Sequence, residues 1–333
     1  MTIDLYQAAL ADAGTSGFYN KNVRIDGPSG PVIVRIPMHD ADNVDLRIWP
    51  EHEVLTAIAP YVAHAPRLLQ VCESPAYQVH EFVPGDVLDD LAPRGQHVPP
   101  VVLAEVVDLF AQLTAVPPED LPDLPVAWPE SGDTGAFARV LSDTTQGVHD
   151  TFGGEFGRLF SVLGIPADPL ASTRDRWSSL TSRPFRLVHS DIHRKNMILS
   201  SGRVVFLDWE LALWGDPLYE LAVHFHKMGY ADDERDAVLA RWVGAMAPEF
   251  TRGWERDLDT YLAHERVKSA IVDTVRYTQL IVGGKLLDEE EQALLDKLTD
   301  KHAAAAEVWA LPDPPDRDRV ESAVRRLTSP LPD

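Results

Sequence analysis

Residues 187–219 read LVHSDIHRKNMILSSGRVVFLDWELALWGDPLY. Within them Met197–Ser200 and Arg203–Leu207 are apolar runs divided by Ser201-Gly202, the pattern of a β-hairpin closed by a two-residue turn. That turn sets the register. Ser200 pairs with Arg203, and each step back along one strand meets a step forward along the other, so Asn196 falls opposite Leu207 and beside Asp208. An amide oxygen and a carboxylate side by side at the open end of a hairpin are the hard donors that magnesium takes, with waters completing its shell. Asp191 lies five residues before Asn196, on a loop that begins where the apolar Leu187-Val188 stops, and is a separate carboxylate. Phosphoryl transfer to a hydroxyl calls for these parts: ligands for the ion that bridges nucleotide phosphates, and one free carboxylate to orient the acceptor and take its proton.

The chain around this stretch has 333 residues, 45% of them hydrophobic and 25% charged, enough for a large core in two domains or one bilobed domain. Its net charge of −22, with no Lys/Arg-rich run to offset it locally, argues against nucleic acid as a partner and favours a cationic small molecule. The one cysteine, Cys72, excludes an internal disulfide or a zinc cage; its apolar neighbours Leu69 and Val71 predict a buried, inert thiol in a reducing compartment. The first residues lack the basic start and apolar stretch of a signal peptide. No apolar run approaches the roughly 20 residues that cross a bilayer, so the expectation is a cytoplasmic protein with no membrane partner.

Upstream, Asn22–Asp26 and Pro31–Pro37 flank the turn Gly27-Pro28-Ser29-Gly30 and predict a hairpin. Pro50, followed by Glu51, Glu53, Val54, Leu55 and Ile58, predicts a helix, and strands follow near Arg67–Cys72 and Tyr77–Phe82. After Val83-Pro84-Gly85 the pattern turns helical, beginning with Val101–Val116. Five prolines between Pro117 and Pro129 make a loop, and Ala136–Leu163, Tyr261–Leu280 and Leu287–Ala310 have helical spacing. The expected organisation is therefore a lobe over residues 1–83, a hinge near 81–85, a helical lobe over 84–311, and a loosely attached proline-rich tail over 312–333.

His189-Ser190-Asp191 with Asn196 resembles the catalytic loop HxDxxxxN of the aminoglycoside phosphotransferase and protein-kinase-like superfamily, and His193 completes the fuller form HxDxHxxN of the phosphotransferase branch. Asp208-Trp209-Glu210 stands where that family has its metal-binding aspartate, and Gly215-Asp216-Pro217 with Tyr219-Glu220-Leu221-Ala222 is similar to its GDPxxDLA segment. The resemblance implies an α+β, bilobed protein-kinase-like fold: a small antiparallel N-terminal sheet with one helix, and a larger, mostly helical lobe carrying the catalytic hairpin. It implies Asp191 as base, Asn196 and Asp208 as Mg²⁺ ligands, and His189 as a scaffold residue without a proton-transfer role.

Carried into the N-terminal lobe, the resemblance makes Gly17-Phe18-Tyr19-Asn20-Lys21-Asn22 the nucleotide-positioning loop, with one glycine where protein kinases have three; Asn20 and Lys21 are its candidate nucleotide contacts. Arg35, where protein kinases carry lysine, becomes the phosphate anchor, with Glu51 as its partner and Glu53 as the competing choice. Val79-His80-Glu81-Phe82-Val83 with Gly85 is similar to the hinge, where Glu81, Phe82 and Val83 would hold the purine of ATP or GTP. Glu210, with Asp273 and Arg276 on a C-terminal helix, are candidates for the acceptor side; the simpler reading of the last two is a salt bridge at three-residue spacing.

The activity so implied is transfer of the γ-phosphoryl group to a hydroxyl of a small molecule. An antibiotic is the first choice, for resistance or self-resistance, and a metabolic sugar, choline or homoserine the alternative. A pseudokinase would be expected to lack one of Asp191, Asn196 or Asp208, and all three are present. A metal-dependent hydrolase would use His189, Asp191, His193 and Asp208. His224 and His226 do not form a metal pair, because Asp216-Pro217 starts a helix on which residues two apart diverge. The acidic run Asp288–Glu291 is a helix start.

Overall fold

In the computed structural model residues 4–12, 14–16, 19–27, 29–38 and 44–328 are described. Along the chain come α1 (Leu5–Ala11), β1 (Thr15–Ser16), β2 (Asn20–Gly27), β3 (Gly30–Pro37), α2 (Glu51–Ile58), β4 (Leu68–Glu73), β5 (Ala76–Glu81), β6 (Asp86–Val87), α3 (Leu88–Leu91) and α4 (Pro100–Ala115). They are followed by α5 (Thr134–Val162), α6 (Ala171–Trp177), β7 (Arg186–Val188), β8 (Met197–Ser200), β9 (Arg203–Phe206), β10 (Leu213–Gly215), α7 (Pro217–Met228), α8 (Asp232–Ala245) and α9 (Pro248–Thr251). The last helices are α10 (Trp254–Val282), α11 (Asp288–Trp309) and α12 (Arg317–Thr328). No described helix is long and apolar enough to cross a membrane.

The chain divides into two compact units, and the division is not at Val83. The first comprises residues 1–43, 47–128 and 184–251; the second comprises 44–46, 129–183 and 252–333. In the first unit, β1-β2-β3-β5-β4 form an antiparallel sheet in that order. α1, which the sequence reading did not anticipate, covers one face: Ala9 packs with Val23 and Val34, flanked by Leu5, Ile25 and Ile36. Asp4 caps this helix by accepting from Tyr6 N and Gln7 N. β4 is an edge strand, which leaves Cys72 half-buried rather than enclosed.

The segment after β5 is tied to the β8–β9 hairpin through β6, which pairs with β8 so that Asp86 lies opposite Leu199. Gly85 makes this approach possible: at φ 140° a Cβ there would land on the Leu199 carbonyl oxygen. α4 packs against β7, β9 and α8 and so backs the same hairpin.

In the second unit, α10 packs against α5, α6 and α11. Its starting corner is held by the buried pair Arg183 Nη1–Asp257 Oδ2 at 2.7 Å, with Asp257 also accepting from Thr181 N at 2.8 Å. The tail reading of 312–333 is corrected here. The prolines cluster at 312–315 and 330–332, and between them α12 buries Val320 and Val324 and packs on α11. Arg317 pairs with Asp296 at 2.6 Å and Arg325 with Glu291 at 2.8 Å.

Candidate active site

β8 and β9 pair as Ser200↔Arg203 through Met197↔Phe206, and Leu207 N donates to Asn196 O at 2.8 Å. The two-residue turn thus delivers Asn196 and Asp208 to the same end of the hairpin. Asp208 has φ 66°, a left-handed conformation that aspartate tolerates better than bulkier residues. Asn196 Nδ2 donates to Asp191 Oδ2 at 2.9 Å and to Asp191 O at 3.0 Å. Its amide nitrogen is therefore engaged and its oxygen is left as the donor for a cation. Asn196 Oδ1 and the Asp208 carboxylate are a hard-oxygen pair that fits Mg²⁺, which binds proteins through few ligands and keeps its waters.

Asp191 is clamped from both sides. Lys227 Nζ meets Oδ1 at 2.5 Å, Asn196 takes Oδ2, and His193 Nε2 lies 3.6 Å from Oδ1. Burial alone would push this carboxyl up, but the Lys227 ammonium and then His193 outweigh it and hold it at about 2. Burial pushes His193 down. His189 is buried against Trp209, ring centroids 4.4 Å apart, and its Nδ1 accepts from Asp191 N at 3.3 Å. Burial lowers its pKa to about 4, so it is neutral and buttresses the loop. Among the described residues no group of three or more His, Cys, Asp or Glu is arranged to hold a metal ion.

Arg35 gathers three carboxylates. Its Nε meets Glu51 Oε2 at 2.8 Å, and its Nη2 meets Asp208 Oδ1 at 2.5 Å and Glu210 Oε2 at 3.3 Å. Burial opposes its charge, yet Glu51, Asp208 and Glu210 together raise its pKa. Glu51 is the partner and Glu53 is exposed, because the helix register turns Glu51 inward, where its other oxygen accepts from Trp209 N at 3.0 Å. Burial raises the Glu51 pKa against the pull of Arg35. Burial, then Asp208, pushes Glu210 up to about 7. Glu210 lines a cleft of about 350 Å³ with Tyr19, Arg47 and Trp49.

The nucleotide-loop residues divide by strand parity. Asn20 donates to Glu210 Oε2 at 2.8 Å, and Asn22, opposite Arg35, accepts from it at 3.5 Å. Lys21 points to the other face and donates to Ala9 O at 3.0 Å and Asp12 O at 2.5 Å. It serves the C-terminal end of α1, and the reading of Lys21 as a nucleotide contact is corrected. Gly17 and Phe18 lie outside the described residues. In the expected hinge segment, Glu81 N donates to Arg67 O at 2.8 Å and Glu81 Oε2 accepts from Arg67 Nε at 2.5 Å, while Arg24 lies 4.5 Å over the Phe82 ring. Val83 is buried.

In the second unit, Asp273 and Arg276 are engaged in charge pairs: Arg276 with Asp45 at 2.6 Å and Asp273 at 3.5 Å, and Lys301 with Asp273 at 2.7 Å. The salt bridge at three-residue spacing is thus present.

α7 starts at Asp216-Pro217 as the sequence predicts, but sequence reading passed over what its polar residues hold. Asp216 caps it, accepting from Leu218 N at 3.0 Å. Glu220 Oε2 then accepts from Ser190 N at 2.8 Å, and burial raises its pKa to about 7. His224 Nδ1 donates to Ile192 O at 3.1 Å, and its Nε2 accepts from Tyr230 Oη at 3.0 Å. The available signal was the polar series Glu220, His224, Lys227 at four- and three-residue spacing on a mostly apolar helix.

Residues 13–258 match the family profile described as "Phosphotransferase enzyme family". No curated protein matches the chain. A choline/ethanolamine kinase family protein from Mesorhizobium loti is similar with a TM-score of 0.56 and 18% identity, over 98% of this chain and 100% of that one. Choline kinase LicA from Streptococcus pneumoniae gives a TM-score of 0.57 and 14% identity, over 88% and 92%. A thermostable mutant of aminoglycoside phosphotransferase APH(4)-Ia, in complex with AMP-PNP and hygromycin B, gives 0.53 and 18%, over 93% and 92%. The likeness shows the fold, an α+β protein-kinase-like one, and with a profile match over most of its length the chain belongs to the phosphotransferase enzyme family.

Proposed function

We propose that the protein transfers the γ-phosphoryl group of ATP or GTP to a hydroxyl of a small molecule in the cytoplasm, with Asp191 as the base. The observation that carries this reading is the clamped Asp191 carboxylate beside the Asn196–Asp208 pair on one hairpin. Asp191, ionised across the physiological range, accepts a hydrogen bond from the acceptor hydroxyl. It takes the proton as the new O–P bond forms and the bond to the leaving nucleotide breaks. Asn196 Oδ1 and Asp208 would hold Mg²⁺, which would supply neutralisation of the nucleotide's phosphate charge. Glu51 holds Arg35 by Nε, and phosphate oxygens would share the Nη end with Asp208 and Glu210. Glu81 to Val83 receive the purine.

The acceptor is a hydroxylated small molecule, and the net charge of −22 favours a cationic one by long-range attraction. An antibiotic is the first choice; choline, homoserine or a sugar is the alternative. The test is nucleotide consumption with ATP and GTP in parallel, Mg²⁺ present. The panel covers aminoglycosides, macrolides, cyclic-peptide and nucleoside antibiotics, then choline, homoserine and simple sugars. A consumed acceptor that Asp191→Ala no longer phosphorylates supports the reading and names the class. An acceptor phosphorylated equally by Asp191→Ala removes Asp191 from the mechanism.

A further inference from the structure

We propose that Lys227 is a positioning residue for the transfer, fixing the orientation of the Asp191 carboxylate; the inference rests on the phosphotransferase reading above. The argument begins with α7. Residues 220, 224 and 227 are four and three apart, one stripe of a helix, and each reaches the loop that carries Asp191. Glu220 takes the Ser190 N–H, His224 takes the Ile192 carbonyl, and Lys227 takes the Ser190 carbonyl at 3.3 Å and the Asp191 side chain at 2.5 Å. Glu220 and His224 hold backbone only, so Lys227 is the one member of the stripe that grips the side chain with the chemistry.

The bland account of a lysine near a helix C-terminus is that it serves the helix's own last carbonyls. Here those are served by other residues. Arg94 donates to Lys227 O at 3.2 Å and Arg194 to Met228 O at 3.0 Å. The Lys227 ammonium is directed away from them, to the loop. Lys227 on Oδ1 and Asn196 on Oδ2 pin the carboxylate at both ends, leaving its remaining lone pairs aimed at the place where an acceptor hydroxyl must come. Without Lys227, Oδ1 keeps only His193 Nε2 at 3.6 Å, beyond hydrogen-bond distance, and the carboxylate can turn about its Asn196 contact. A reacting group displaced by about 1 Å loses on the order of a hundredfold in rate.

The experiment uses the full chain, with Lys227→Met, Lys227→Arg, Asp191→Ala and the double variant Asp191→Ala/Lys227→Met. Melting temperature, MgADP affinity and turnover are measured, the acceptor being the one that gives the highest Asp191-dependent rate in the panel, water included. Lys227→Met should lower kcat on the order of a hundredfold with KM for the acceptor little changed, and Lys227→Arg should recover at least about a tenfold share. Because Lys227 acts through Asp191, adding Lys227→Met to Asp191→Ala should change the residual rate by less than about threefold. MgADP affinity should stay at the wild-type value, and any fall in melting temperature from unpairing Asp191 should be repaired by Lys227→Arg. The inference is overturned if Lys227→Met turns over within about threefold of wild type. It is also overturned if the loss is matched by a fall in melting temperature that Arg does not repair, or if the two changes multiply. An Asp191→Ala enzyme as fast as wild type, or a wild type that neither binds MgADP nor transfers phosphate, sinks the phosphotransferase reading itself, and is seen before Lys227 is touched.

Discussion

Replacing Arg35 by Met would remove the guanidinium that meets Glu51, Asp208 and Glu210, at 2.8, 2.5 and 3.3 Å respectively, leaving Arg47 3.8 Å from Glu210, while keeping most of the side-chain volume. Arg35 and Glu51 are 9% and 5% exposed, so water cannot replace the lost partner. Breaking a buried pair by deleting one member costs about 3–5 kcal/mol. At roughly 2–4 °C per kcal/mol for a unit of this size, the melting temperature should fall by about 6–20 °C at pH 8. The loss should shrink on acidification, and the sign follows from linkage. Burial already raises Glu51, and burial with Asp208 raises Glu210 to about 7. Without Arg35 their folded-state pKa values rise further above the unfolded ones, so the variant regains stability as pH falls and loses it as pH rises through the folded values. Differential scanning calorimetry of both proteins at pH 8 and pH 5.5, with chelator present, measures the two gaps. A gap below about 3 °C at pH 8, or one equal at both pH values, would refute the idea that Arg35 neutralises this cluster.

Asp208→Asn should leave the melting temperature near wild type, because Arg35 keeps Glu51 and Glu210, while turnover falls at least about a hundredfold; a mass-spectrometric assay of phosphorylated product checks it. Glu220→Gln keeps an acceptor for Ser190 N but removes a carboxyl raised by burial from 4.5 to about 7. Wild type loses stability from this group as pH rises through about 7, and the variant does not, so its melting temperature should gain on wild type by an amount worth about 2–3 kcal/mol between pH 5 and pH 8. A pH series of thermal melts reads this directly. Gly85→Ala should cost about 1–3 kcal/mol, since alanine must adopt φ 140° with its Cβ on the Leu199 carbonyl; urea unfolding gives the number.

The β8–β9 hairpin was legible because a two-residue turn and a period of two leave no freedom of register: naming Ser201-Gly202 as the turn already places Asn196 beside Asp208. Glu51 and Glu53 could not be separated without the inward face of α2, which packing decides. Lys21 was misread although strand parity was available, since Asn20 and Asn22 share a face with Arg35 and Lys21 does not. α1 and α12 escaped because short helices have a weak periodic signal, and flanking prolines drew the eye at 312–332. Lys227 escaped for another reason: the series Glu220, His224, Lys227 marks one face of α7, but nothing local names its partner, an aspartate 36 residues earlier.

The central claim is tested most directly by ³¹P NMR of the reaction with Mg²⁺ and ATP or GTP, acceptor by acceptor, for wild type and Asp191→Ala. The account predicts a phosphomonoester resonance growing as nucleoside diphosphate forms with wild type, and none beyond background with Asp191→Ala. A phosphomonoester formed at equal rates by both proteins would contradict it, as would nucleotide bound by neither.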